Sequence, residues 1–193
     1  ANLKSLDFSM DDASDYIKWI TRGFNEGGMT AYMVHLLFDK HTYSTPEIGD
    51  KEGSSGLVVW DDEETIITPK RYFAFKHYST LSGKGFKRVS HNSPDDAFYV
   101  TSFRSPDDNY IVLHVYNSSG ITAPLTIETP YNTTSIFRYT TDNTIDFVQT
   151  EIDYVDSSRY FETSLTPKSL SSFIFETSTT LNKNLNKMSS ISI

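Results

Sequence analysis

The 193-residue sequence contains no cysteine, which excludes disulfide bonds, thiolate nucleophiles and zinc–thiolate sites. Basic residues are also few, because 17 Lys and Arg stand against 25 Asp and Glu and leave a net charge of −8. Nucleic acid is therefore not an expected partner, since phosphate groups are bound by basic patches. No apolar run approaches the ~18 residues that a membrane span requires, so we expect no membrane-spanning segment in these residues.

Patterns typical of metals and cofactors are missing as well. Three histidines have no metal-ligand spacing with any neighbour: His77, His91 and His114. The acidic run Asp61–Glu64 lies between two short apolar segments and is typical of a solvated β-hairpin tip. We therefore predict no bound metal and no cofactor.

Aromatic residues are plentiful, at 14% of the chain with 12 Tyr and 13 Phe. Aromatic enrichment is typical of β-rich folds, where these side chains pack in strands and cores, and also of carbohydrate-contacting surfaces.

The first forty residues predict a helix followed by a buried strand. Ser9 is a suitable N-cap for a helix over residues 9–27, with two aspartates in the first turn and two glycines at the end. Thr30–Phe38 is almost continuously apolar, which predicts a strand covered on both faces, as in parallel sheets. Since such a strand needs neighbours, we expect them to lie in sequence beyond these residues.

A long polar loop and a second helix follow. Asp39–Gly56 predicts a loop of the length that is often functional. Thr68 and Pro69 then predict the start of a helix, with Thr68 as its cap. The aromatic side chains of this helix require that one face is buried; they are Tyr72, Phe73 and Phe75.

From Arg88 to about Thr177 the apolar pattern has a period of two, which predicts short strands separated by turns. This regular spacing predicts an antiparallel β-sandwich. The predicted strands are Ala97–Arg104, Tyr110–Asn117, Leu125–Thr129, Ser135–Thr140, Ile145–Thr150, Arg159–Ser164 and Ser171–Glu176.

Several segments, in this order and spacing, resemble the C-terminal part of glycoside hydrolase family 30. Arg71–Ser79 resembles the last helix of that family's (β/α)8 barrel, and Gly85–Val89 the segment that enters its side β-sandwich. Phe98–Phe103, Tyr110–Asn117 and Leu165–Phe173 resemble strands of the sandwich. Lys84 departs from the pattern, because it stands where the family has proline.

The resemblance implies an α/β barrel C-terminal portion (helix, strand, helix) followed by an all-β antiparallel sandwich. Residues 1–88 would be the barrel portion, 89–177 the side sandwich and 178–193 a polar tail. The two catalytic carboxylates of these retaining glycosidases would lie upstream, so no catalytic residue is expected in this chain. The expected partners are a β-linked oligo- or polysaccharide and the remaining N-terminal part of the barrel, in the same precursor or in a second chain. The expected location is secreted, extracellular.

Four residues near the end of the apolar strand would border the substrate cleft in such a barrel, because active sites lie at the carboxyl ends of the strands. The candidates for contact with sugar are His35, Asp39, His41 and Tyr43. His35 stands near the position at which the family usually has an aromatic residue. Two interpretations are therefore open: His35 binds a sugar hydroxyl, or it is a buried histidine whose hydrogen bonds are made within the protein. The same departure leaves the substrate open among xylan, β-1,6-glucan, β-1,6-galactan and glucosylceramide. Two acceptor sequences predict glycosylation, at Asn117 and Asn132, in a protein secreted by a eukaryote.

Two other interpretations remain open. The chain is alternatively a non-catalytic carbohydrate-binding or structural module, in which the sandwich does the work. It is otherwise a self-contained α+β domain whose likeness to the family is accidental.

Overall fold

The computed structural model describes residues 7–40, 42–45, 49–52, 56–60, 65–93, 96–129, 133–152, 159–177 and 191–192. Two helices are present in these ranges, α1 (Met10–Asn25) and α2 (Lys70–Leu81). The strands of the N-terminal part are β1 (Phe38–Lys40), β2 (Thr42–Thr45), β3 (Gly49–Glu52), β4 (Val58–Trp60) and β5 (Ile66–Ile67). Those that follow α2 are β6 (Lys87–Val89), β7 (His91–Asn92), β8 (Phe98–Arg104), β9 (Tyr110–Asn117), β10 (Ala123–Glu128), β11 (Thr133–Thr141), β12 (Val148–Ile152), β13 (Tyr160–Leu165), β14 (Ser169–Thr177) and β15 (Ile191–Ser192).

Helix α1 begins as its sequence predicts. The Ser9 side chain accepts a hydrogen bond from the backbone N–H of Asp11, and both Asp11 and Asp12 lie in the first turn. The helix buries one face, which includes Ala13, Ile17 and Ile20.

The predicted strand Thr30–Phe38 is wrong over most of its length. Regular pairing begins only at Phe38, and Leu36 adopts a left-handed backbone with φ 72° that interrupts an extended chain. Met33 is 89% exposed and Phe38 is 56% exposed. The apolar run therefore lacks the two-sided cover that the sequence predicts.

Strand β1 belongs to a small sheet of order β1-β4-β5. It pairs in parallel with β4, with Asp39 opposite Val59, and β4 pairs with β5 in an antiparallel way. The predicted hairpin after residue 56 is thus confirmed. The predicted loop Asp39–Gly56 contains a second hairpin, β2 with β3, which a polar sequence does not reveal.

Helix α2 begins one residue later than predicted, because Pro69 and not Thr68 is its N-cap. Pro69 makes no side-chain capping bond. The backbone N–H of Lys70, which has no acceptor within the helix, donates instead to the carbonyl of Phe8 at 3.2 Å. The three aromatic residues of the helix are all partly buried: Tyr72, Phe73 and Phe75.

The C-terminal part forms two sheets. The larger has the order β12-β11-β14-β9-β8-β6, and its strand pairs are antiparallel. The smaller has the order β13-β10-β15-β7, with antiparallel pairs except between β15 and β7. The predicted antiparallel sandwich is confirmed, whereas the assignment of residues 1–88 to a barrel stays a prediction.

Both faces of the larger sheet are covered. One apolar cluster, between the two sheets, includes Leu113, Ile127 and Phe173. A second cluster, on the opposite face, packs Ile17 of α1 and Tyr78 of α2 against the sheet. Strand β9 is accordingly buried from its second residue to its last. Antiparallel strands often have one face in water, but β9 has both faces covered.

A chain of buried polar groups joins α2 to this sheet. The Ser172 hydroxyl lies 2.6 Å from Nδ1 of both His77 and His114. His77 Nε2 lies 3.0 Å from the Thr141 hydroxyl, and His114 Nε2 lies 3.0 Å from the Ser82 hydroxyl. Both histidines have 0% exposure, so these contacts take the place of water.

Candidate functional site

Asp39 stands in the middle of β1, the position at which the sequence predicts contact with a sugar. Its side chain is only 4% exposed, and its Oδ1 accepts the backbone N–H of Lys40 at 3.0 Å. A Cβ on Gly56 would lie 2.5 Å from the Cβ of Asp39, so glycine is the residue that allows this approach. Asp39 therefore faces the protein interior.

A buried ion pair lies behind this position. Arg71 Nη1 donates to Asp12 Oδ2 at 2.9 Å, and both side chains are 1% exposed. Arg71 Nε donates to the Gly56 carbonyl at 2.7 Å. The guanidinium thus joins the first turn of α1, the first turn of α2 and the segment against which Asp39 packs.

The electrostatics of this region follow from burial and from the ion pair. Burial raises the pKa of Tyr16, Arg71 opposes that rise, and Asp12 and Asp15 add to it. The phenol of Tyr16 is therefore neutral at physiological pH. No group of three His, Asp or Glu side chains able to hold a metal occurs in the part of the chain that the structure describes.

The other predicted sugar contacts are not brought together in the described structure. His35 is exposed and lies in the irregular segment before β1. His41 lies outside the described residues, and Tyr43 belongs to β2 with a side chain that is not described. Their contact with a sugar stays a prediction.

The predicted glycosylation of Asn117 is corrected by the fold. Asn117 has 0% exposure, and its amide nitrogen donates to the carbonyls of Ile121, Leu165 and Thr166. A glycan would have to occupy the same nitrogen, so it is incompatible with this structure. Asn132 lies outside the described residues.

Apolar side chains are exposed on the small sheet. They are Phe38, Trp60 and Ile66 in its strands, and Leu37, whose carbonyl accepts the backbone N–H of Val58. Scattered apolar residues are ordinary on a protein surface, but a group on one small sheet is typical of an interface. Within the described ranges, no helix is long and apolar enough to cross a membrane.

Comparison with solved structures shows that the chain is similar in fold to part of several xylanases. A family 30 subfamily 8 xylanase from Clostridium acetobutylicum superposes with a TM-score of 0.70 at 17% identity, over 91% of this chain and 41% of its own. An endoxylanase of the same family from Clostridium papyrosolvens gives 0.65 at 17% identity, over 91% and 40%. Xylanase C from Talaromyces cellulolyticus, also of that family, gives 0.72 at 17% identity, over 92% and 39%.

The chain shares the fold of one part of these family 30 enzymes. The predicted resemblance to that family is confirmed at the level of fold, and the chain spans about 40% of the length of these family 30 structures. No protein-family model matches the sequence, and no curated protein matches it.

Sequence reasoning missed the ion pair beneath Asp39. The sequence indicates only that Asp12 lies in the first turn of α1 and that Arg71 begins the segment of α2 that resembles the family. The two residues are 59 positions apart, and no local pattern connects them. The only available signal was an arginine in a helix that must bury a face.

Proposed function

We propose that this chain is the C-terminal portion of a retaining glycoside hydrolase that acts on β-linked glycans. The observation that carries the proposal is the fold shared with three family 30 xylanases over 91–92% of the chain. Their names make xylan the first substrate to test. In this proposal α1 is the last helix but one of a barrel, β1 is its last strand and α2 is its last helix.

The exposed apolar side chains support the proposal that another part of the barrel packs against β1. Strand β1 pairs only with β4 among the described residues, although a parallel barrel strand has a partner on each side. Leu37, which directly precedes β1, is 54% exposed, and Phe38, the first residue of β1, is 56% exposed. The remaining N-terminal part of the barrel would cover this surface, either from the same precursor or as a second chain.

The proposed chemistry requires two carboxylates about 5 Å apart, one as nucleophile and one as acid/base. The upstream part would supply both. Asp12 is held by Arg71, and Asp39 is buried, so neither is offered for that role. In this proposal His35, His41 and Tyr43 contact sugar hydroxyls, and Asp39 holds the segment that carries them.

The test compares two preparations on xylan, β-1,6-glucan and β-1,6-galactan. One is the 193-residue chain, and the other is the same chain with the upstream part of its polypeptide. We expect hydrolysis by the longer preparation alone, and its loss when the upstream nucleophile Glu is changed to Gln. Equal hydrolysis by both preparations, or none by the longer one, would refute the proposal.

A non-catalytic carbohydrate-binding or structural module is the second candidate. The observation in its favour is that α1 and α2 share one apolar cluster with the larger sheet, so the helices and the sandwich form one body. If the isolated chain is monomeric, unfolds cooperatively and binds glycan without an upstream partner, this candidate is preferred.

A further inference from the structure

Two buried histidines lie in the contact between α2 and the larger sheet. His77 belongs to α2 and His114 to β9, and the Ser172 hydroxyl of β14 lies 2.6 Å from Nδ1 of each ring. Both rings have 0% exposure. The Phe147 ring packs 4.9 Å from the His77 ring, measured between centres. The Tyr78 ring packs 4.4 Å from that of His114. This contact therefore includes two ionisable groups that water does not reach.

The hydrogen bonds of the two rings suit their neutral forms. The Thr141 oxygen accepts a backbone N–H at 2.9 Å, so its own proton is free to donate to Nε2 of His77 at 3.0 Å. The Ser82 hydroxyl donates to a carbonyl of α2 and accepts from Nε2 of His114, so Nδ1 of that ring accepts from Ser172. A further proton on either ring would place an N–H against an O–H donor.

The charges around the rings do not compensate a proton either. Among the residues that the structure describes, no carboxylate pairs with His77 or His114. The Lys76 ammonium lies 4.6 Å from the centre of the Phe147 ring, on which the neutral Tyr139 stacks. The other charged side chains of the surrounding elements are bonded elsewhere, in the pairs Asp12 with Arg71, Lys70 with Asp146, Asp142 with Thr144, Arg104 with Asp108, Arg138 with Ser171 and Glu176 with Ser135. A proton here would be a buried charge without a counter-charge.

Acid accordingly favours any state in which the rings reach water. Burial lowers the pKa of His114 to about 3, and burial, His114 and Lys76 lower that of His77 well below 6.5. In an open state both rings regain an ordinary pKa of about 6.5. Below that pH each ring takes up a proton on opening, so opening becomes easier as the pH falls. Above pH ~7 neither form binds the proton and the pH has no effect.

The two faces of the larger sheet have separate apolar cores. The cluster under the helices includes Leu170, the cluster between the sheets includes Leu113 and Phe173, and the two share no buried residue. Side chains alternate along a strand, so His114 and Ser172 face the helices while their neighbours Leu113 and Phe173 face the smaller sheet. The helices can therefore leave the sheet without opening the core of the sandwich.

We propose that His77, Ser172 and His114 form an acid-sensitive latch between the helices and the sandwich. When the two rings take up protons, α1 and α2 separate from the larger sheet together, because they share one apolar cluster. The sandwich stays folded on its own core. The inference is independent of the proposed hydrolase function, since every group that it uses belongs to this chain.

The test is native-state amide hydrogen exchange of the full 193-residue chain at pH 7.5 and pH 5.0, corrected for the intrinsic exchange rate at each pH. At pH 5.0 most carboxylates, with ordinary pKa values of about 4, are still ionised. Each histidine raises the opening constant by a factor of about 30 between these pH values, so that of α2 should rise about 10³-fold. The amides of β9 and β14 should respond much less.

Histidine variants separate the latch from general sensitivity to acid. His77→Gln and His114→Gln each keep a polar side chain and remove one titrating ring, so each should reduce the response of α2 from about 10³-fold to about 30-fold. A merely structural role would instead raise opening equally at both pH values. His35→Gln, at an exposed position before β1, is the matched control and should keep the full response.

Three outcomes would overturn the proposal. The first is a change of less than about threefold in the opening of wild-type α2 between the two pH values, a result that needs no variant. The second is that β9 and β14 open as much as α2, which would mean that the whole domain unfolds. The third is that either histidine variant keeps the full response.

Discussion

The Ser172 hydroxyl bridges two buried histidines, so its removal should be among the most damaging single-atom changes in this fold. One arrangement of protons satisfies every contact in the chain of polar groups. Ser82 donates to the Tyr78 carbonyl at 3.0 Å and so accepts from Nε2–H of His114. Nδ1 of His114 then accepts from Ser172, whose oxygen accepts from Nδ1–H of His77.

The magnitude follows from the number of atoms that lose a partner. Ser172→Ala leaves Nδ1 of His77 and Nδ1 of His114 unpaired, and both rings have 0% exposure. Each unpaired buried group costs ~1–3 kcal/mol, so the variant should lose about 2–6 kcal/mol of unfolding free energy. That is a large share of the ~5–15 kcal/mol typical of a domain.

Urea unfolding at pH 7.5, followed by circular dichroism, is the assay. Ser102→Ala is the matched control, because Ser102 is also fully buried but its hydroxyl donates a hydrogen bond to a single carbonyl, that of Val89. We expect a loss of about 1 kcal/mol for the control. A loss for Ser172→Ala no greater than that of the control would refute the bridging role.

The same two histidines predict sensitivity to acid. Burial lowers the pKa of His114 to about 3, and burial, His114 and Lys76 lower that of His77 well below 6.5. The unfolded chain therefore binds protons below pH ~6.5 that the folded chain excludes, and unfolding free energy falls by up to ~1.4 kcal/mol per pH unit for each histidine. Above pH ~7 this contribution is constant. Equal stability at pH 5 and pH 7.5 would contradict the neutral, buried pair.

Three further predictions test other parts of the molecule. Arg71→Met removes the buried cation that pairs with the Asp12 carboxylate and should cost ~3–5 kcal/mol in urea unfolding. Lys168→Met removes one partner of an exposed ion pair and should change stability little. Similar effects of the two substitutions would contradict the burial argument. Gly85→Ala should lower the free energy of unfolding by ~1–3 kcal/mol, because Gly85 has a φ of +89° and the new Cβ would lie 2.9 Å from the side chain of Pro106. Gly120→Ala is the control, because its Cβ would meet open space, and it should change that free energy by no more than ~0.5 kcal/mol. Expression in a glycosylating host should leave Asn117 unmodified by mass spectrometry, and a glycan on that peptide would show that the buried amide is accessible.

Local patterns predicted the regular elements well. Helix α1 begins after Ser9 because a capping hydroxyl and two first-turn aspartates act within four residues. The strand predicted at Tyr110–Asn117 is found with the same bounds, since its β-branched and aromatic residues lie between two clear turns. Such signals depend on neighbours in sequence and are therefore visible without a structure.

Predictions that depended on distant contacts were less successful. The run Thr30–Phe38 is apolar enough for a buried strand, but the described chain provides no cover for Met33 or Leu37. Asp39 was predicted to face a sugar, whereas its exposure depends on Gly56, which lies beyond the intervening hairpin.

The order of strands in the larger sheet has a consequence for synthesis. Strand β14 lies in the middle of the sheet, between β11 and β9, yet it is the last strand of that sheet to leave the ribosome. At ~5–20 residues per second, β9 waits several seconds for its central neighbour. Until then one edge of a long apolar strand has no hydrogen-bonding partner, and the site where His77 will bind Ser172 does not exist. Nascent chains stalled before residue 169 should therefore need chaperone protection that the finished chain does not.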